Sequence, residues 1–100
     1  MTDGCGAPAG GVTGTVDYDS QAVVQGRVVR DGSPVSTGYA RLLNPDGDFT
    51  AEVPLGADGG FRFFAAPGEW TVRVLAPGGV SVDTGARAAY GAPAELEVAI

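Results

Sequence analysis

From Ala22 onward, side chains change character at almost every second residue, and this alternation is cut by glycine or proline corners at spacings of roughly 8 to 12 residues. A strand turns successive side chains to opposite faces, so such a chain builds half-buried strands joined by short turns. AVVQGRVVR (22–30) reads as a first strand that stops at DGSP, where Asp31-Gly32 turns and Pro34 lacks the N–H a central strand needs. GYARLLN sets Ala40 and Leu42 against Arg41 and Leu43. DFTAEVPL sets Phe49, Ala51, Val53 and Leu55 on one side. FRFFA and EWTVRVLA, joined by APG at 66–68, read as a hairpin that points Phe61, Phe63 and Trp70 inward. VSVDT is a short strand, 84–94 reads as a small-residue loop, and AELEVAI ends the chain with Leu96, Val98 and Ile100 inward. No segment carries a helical period. The expectation is all-β, with about seven strands in a sandwich.

Length allows one domain, because 100 residues bury one core and not two. Residues 1–21 are rich in glycine and small side chains, with Asp3, Asp17 and Asp19 and no basic residue, and read as a flexible arm ordered at most near Val16–Tyr18. The sandwich domain is then 22–100. Seventeen glycines and seven prolines suit many corners, and an apolar share of 44% argues against disorder.

The charge balance excludes several functions. Twelve acidic residues face six arginines, net −6, with no lysine, so a phosphate backbone is repelled and nucleic acid is not an expected partner. Without lysine there is no Schiff-base chemistry. Without histidine, and with one cysteine, there is no zinc set and no serine triad with its usual base. The acidic pairs DYD (17–19) and PDGD (45–48) lack a twelve-residue calcium loop and read as turn chemistry. No metal, cofactor or catalytic residue is expected. No secretory leader or bilayer-length apolar run is present, which places the chain in the cytoplasm and away from membranes as an expectation.

Three features remain as candidate sites. Cys5 is the single thiol, on the arm; an unperturbed thiol is mostly protonated at neutral pH, and Asp3 lowers the thiolate share further, so it is either incidental or a carrier activated by a partner. Phe64 breaks the alternation beside Phe63, so it either tucks under a rim loop or forms an exposed aromatic spot for a partner. Arg27, Arg41, Arg62 and Arg73 occupy outward positions in four strands. They form either one positive stripe for a partner or cross-strand pairs with Glu52, Glu69, Glu95 and Glu97.

GRVVRDGSPVSTGYARLL followed by DGGFRFFAAPGEWTVRVLAPG resembles the carboxypeptidase regulatory-domain-like, or prealbumin-like, sandwiches. More narrowly, CGAP, GRVV, ARLL, DFTAEV and FRFFAAPGEWTVR resemble the actinobacterial SseC-like proteins, a family of unknown function often encoded beside thiosulfate sulfurtransferases. The resemblance implies an antiparallel Greek-key sandwich and a non-enzymatic accessory or sulfur-relay role, docking on a sulfurtransferase with Cys5 as sulfur acceptor. A protein-binding module without chemistry of its own is the alternative. The resemblance transfers no catalytic residue and leaves oligomeric state open. The hydroxyisourate hydrolases share the general sandwich but use histidines and a terminal motif absent from this chain.

Overall fold

The computed structural model describes Asp17 and residues 19–100. The expected arm, with Cys5, Val16 and Tyr18, lies almost wholly outside the described residues. Its last part forms a small capped turn in which the Ser20 and Gln21 N–H groups donate to the Asp17 carbonyl at 3.2 and 2.9 Å.

Among the described residues there are eight strands and no helix. The first sheet is organised around β1 (Ala22–Arg30). One edge of β1 pairs with β2 (Ser33–Pro34) and β5 (Gly60–Ala65), and β8 (Ala94–Ala99) pairs with it in parallel. The second sheet has the order β4 (Phe49–Pro54), β3 (Tyr39–Leu43), β6 (Gly68–Ala76), β7 (Val80–Ala88), all antiparallel. Because β6 returns beside β3 with β5 on the facing layer, β3 to β6 trace a Greek key. Asp31 (φ 52°) and Gly32 (φ 82°) make the two-residue corner between β1 and β2, whose left-handed backbone matches strand twist.

Alternation placed most of the core correctly. Val24, Val28, Phe61, Phe63 and Val98 of the first sheet meet Ala40, Leu42, Val53, Val72 and Val74 of the second, all buried. The Phe61 and Phe63 rings lie 6.1 Å apart. No polar or charged side chain is buried among the described residues.

Five expectations change. FRFFA and EWTVRVLA are not a hairpin: β5 pairs with β1, and β6 pairs with β3 and β7. The corner at 66–68, with Gly68 at φ 139°, carries the chain from one layer to the other, so Phe63 and Trp70 come from opposite sheets. Trp70 faces inward but only half-buried, at the end of the core, where its indole N–H donates to the Ala66 carbonyl at 2.8 Å. Phe49 is 60% exposed, because the register slips between Leu42 and Leu43: Ala51 opposes Leu42, Phe49 opposes Leu43, and Thr50 is the extra residue of a bulge that sends Phe49 to the outer face. The expected loop 84–94 is strand as far as Ala88, since Gly85, Ala86 and Ala88 pair along β6. Finally, the β1–β8 pair is parallel, which the whole intervening chain makes possible as its crossover.

Candidate interaction faces

Because both sheets are buried on one side only, every second residue of each strand faces outward. The two outer faces hold Arg27, Arg41, Arg62, Arg73 and Phe64 in different settings.

On the first sheet, one row runs across three strands. Gln25 of β1 donates through Nε2 to Glu95 of β8 at 3.0 Å, and Arg62 of β5 donates through Nε to Gln25 Oε1 at 2.8 Å. An uncharged amide thus links the carboxylate and the guanidinium. Arg27 lies 3.9 Å from Asp58, a loose exposed pair. Phe64 opposes Val23 on this face and is 42% exposed, while Val23 itself is fully buried although it lies outside the core cluster. Phe64 is therefore an exposed aromatic spot, not a ring tucked under a rim.

On the second sheet the register builds a grid. The middle row is Glu52–Arg41–Arg73–Asp83, one residue from each strand. Arg41 donates to Glu52 Oε1 through Nε at 3.0 Å and Nη2 at 2.8 Å. Arg73 makes a two-point fork to Asp83, with Nε on Oδ1 at 2.8 Å and Nη2 on Oδ2 at 3.0 Å. That hydrogen bond holds the Asp83 carboxyl below its ordinary range and raises the Arg73 guanidinium. Above and below lie the rows Pro54–Tyr39–Leu75–Ser81 and Phe49–Leu43–Thr71–Gly85. The Arg41 guanidinium sits 5.5 Å from the Phe49 ring centroid, within cation–π range. Arg87 pairs with Glu69 further along.

The four arginines therefore split two and two over opposite faces, and no single stripe exists. Of the expected partners, Glu52 holds Arg41 and Glu95 reaches Arg62 only through Gln25; the Arg73 partner is Asp83 and the Arg27 partner is Asp58. Asp83 was not among the expected partners, because pairing it with Arg73 required the β6–β7 register. Tyr39 and Phe49 were missed as surface residues, the second because a bulge leaves no period-2 signal.

The remaining candidates lie elsewhere. Cys5 is outside the described residues. In PDGD, the Asn44 side-chain oxygen accepts the N–H groups of Asp46 and Asp48 at 3.0 and 2.9 Å, so the turn reading holds there. Among the described residues no three acidic or thiol groups converge as a metal set, and no helix is long and apolar enough to cross a membrane. An open groove of about 450 Å³ beside the first corner is lined by Arg30, Asp31, Ser33, Ser36, Thr37 and Pro77.

The profile of the family described as "Protein of unknown function (DUF1416)" matches residues 5–100. The uncharacterized proteins Rv0814c and Rv3118 of Mycobacterium tuberculosis are each 47% identical over 78 residues, covering 75% of this chain and 78% of each relative. An uncharacterized protein of Mycolicibacterium smegmatis is 53% identical over 66 residues, 64% of this chain and 72% of the relative. Among solved structures, a DUF3823 family protein from Bacteroides ovatus is similar, with a TM-score of 0.53 at 17% identity. That match covers 79% of this chain and 43% of the other, and shows the fold alone.

Proposed function

The chain belongs to the DUF1416 family, proteins of unknown function, and from that premise we propose that it is a non-enzymatic accessory protein whose sandwich docks on a partner protein. The observation that carries this reading is the separation of chemistry from interior. Among the described residues the core holds no polar side chain, and the ionised groups form shallow rows on two open faces. Catalysis draws on charged groups held in a desolvated, preorganised site, whereas docking draws on exposed faces with aromatic and arginine anchors.

The finer proposal is that the partner is a thiosulfate sulfurtransferase and that Cys5 accepts sulfur from it. The SseC-like resemblance supports the partner, and the family match, which begins at residue 5, includes the single thiol. In the transfer step the Cys5 thiolate attacks the outer sulfur of the enzyme's persulfide. A new S–S bond forms at Cys5, the old one breaks, and the enzyme's thiolate leaves, so no external oxidant is consumed. Activation of Cys5 comes from the partner's site, since Asp3 disfavours the thiolate. A reducing, cytoplasmic setting belongs to the same proposal, because it keeps the thiol free.

The test is to mix the protein with a thiosulfate sulfurtransferase and thiosulfate and record its intact mass. One added sulfur that disappears in Cys5→Ser supports the relay; no added sulfur, or a sulfur that survives Cys5→Ser, removes it. If Cys5→Ser is silent while a charge at Phe64 (Phe64→Asp) abolishes co-elution with the partner, the second reading, a binding module with no chemistry, takes its place. The 42% exposure of Phe64 is the observation that favours this second reading.

A further inference from the structure

We propose that the outer face of the second sheet is a docking slot for an extended, acidic segment of a partner protein, whose carboxylate is received between Arg41 and Arg73. This rests on the docking reading above and assigns it a surface and a partner chemistry.

Arg41 and Arg73 are direct cross-strand neighbours on β3 and β6. Like charges placed opposite each other on a sheet repel. Each is held by a carboxylate on its far side, Glu52 on the β4 edge and Asp83 on the β7 edge, so the two guanidiniums are drawn apart. Both use Nε and Nη2 for those bonds, and neither Nη1 has a protein partner among the described residues. The row thus reads minus, plus, plus, minus, with unengaged donors at its centre. What complements it is one negative group over the β3–β6 seam.

The neighbouring rows say what carries that group. Tyr39 and Leu75 lie one outward step to one side of the arginines, and Phe49 and Thr71 one step to the other, where Leu43 between them is buried. Tyr39 and Phe49 are 48% and 60% exposed. An extended segment advances about 7 Å every two residues. A carboxylate flanked at two-residue spacing by apolar side chains therefore matches charge to the middle row and apolar surface to the outer ones. A free anion uses only the middle row and forgoes the apolar contacts on either side of it.

The probe is the peptide acetyl-Leu-Thr-Glu-Thr-Leu-amide, titrated into isotope-labelled protein while the arginine Nε–H and backbone resonances are followed. Saturable shifts are expected at Arg41, Arg73, Tyr39 and Phe49, weakened by salt and lost when glutamine replaces the peptide's glutamate. Arg73→Gln should weaken binding by at least about tenfold. Asp83→Asn should tighten it, because it releases Arg73 from a competing carboxylate; a purely structural role for the pair predicts weakening in both variants. Phe64→Asp, on the opposite face, should leave binding unchanged. Equal binding of the glutamine peptide, weaker binding by Asp83→Asn, or shifts centred on Phe64 would each overturn the assignment. The experiment contains no sulfurtransferase and gives the same result in Cys5→Ser, so its failure leaves the docking reading to another face, and a failed sulfur transfer leaves this slot untouched.

Discussion

The two sheets solve the same packing problem in different ways. The first concentrates its pairing on one strand: β1 hydrogen-bonds β2, β5 and β8, and its centre is Gly26, where an added Cβ would lie 2.3 Å from the Leu96 carbonyl oxygen and 2.9 Å from the Phe61 ring. The second distributes its pairing over two hairpins, β3–β4 and β6–β7, joined by the β3–β6 ladder, and its mid-strand glycine, Gly85, has open space around it. Their surfaces differ correspondingly. On the first, a glutamine bridges acid and base into one continuous hydrogen-bonded row; on the second, two arginines meet and turn away from each other. Residues that are equivalent in the sequence, an arginine at an outward strand position, acquire different chemistry from their neighbours across the sheet.

The comparison breaks first in the core. Phe63→Ala should cost about 3–5 kcal/mol in urea unfolding, because it empties the centre of the first sheet's inner face. Trp70→Ala, a larger truncation in the second sheet, should cost only about 1–2 kcal/mol, because Trp70 is half-buried and loses a single hydrogen bond. If Trp70→Ala is the costlier change, the core is centred differently from this description.

The glycines sharpen the contrast. Gly26→Ala must push backbone, β8 or Phe61 aside, and should destabilise by about 2–3 kcal/mol. Gly85→Ala meets nothing within 4 Å and has no left-handed backbone, so it should stabilise by about 0.5 kcal/mol through the unfolded chain. Equal effects at both positions would contradict the close β1–β8 approach.

The smallest effect lies in the charged row. Asp83, depressed first by the Arg73 hydrogen bond, should titrate below the ordinary aspartate value of about 3.9, and Arg73→Gln should return it there. A carboxyl depressed on folding contributes stability above its unfolded pKa, and that contribution is lost as the pH falls through the folded value. Carboxyl resonances followed between about pH 2 and 6 read this directly; a midpoint at or above the ordinary value would show that the fork to Arg73 does not persist in solution.

Much of the fold was legible because period-2 alternation is a local property. It placed β1 at 22–30, separated Phe61 and Phe63 from Arg62, and turned Leu96 and Val98 inward against Glu95 and Glu97. It failed where a local signal is ambiguous or missing. The corner at 66–68 looks the same whether the chain folds back in one sheet or crosses to the other, and only the competition of β1 for β5 and of β3 for β6 separates the two outcomes. A bulge at Thr50 breaks the period that would have put Phe49 inside with Ala51 and Val53, and sends it outside instead. The low side-chain content of 84–88 resembles a loop until β6 supplies its hydrogen-bond partners.

The same division governs the candidate site. By itself the sequence determined that the chain is built of strands, that Arg27, Arg41, Arg62 and Arg73 point outward from theirs, that every strong cation is an arginine, and that one thiol exists, because these depend on residue type and on the two-fold step of an extended backbone. Only the tertiary structure decided which outward residues meet. Register between strands distant in the chain set Arg41 beside Arg73, gave each its own carboxylate, and sent Arg27 and Arg62 to the opposite face. Pairing energies are summed over whole sheets, so a neighbour across a ladder is a property of the assembled layers and of no single stretch of chain.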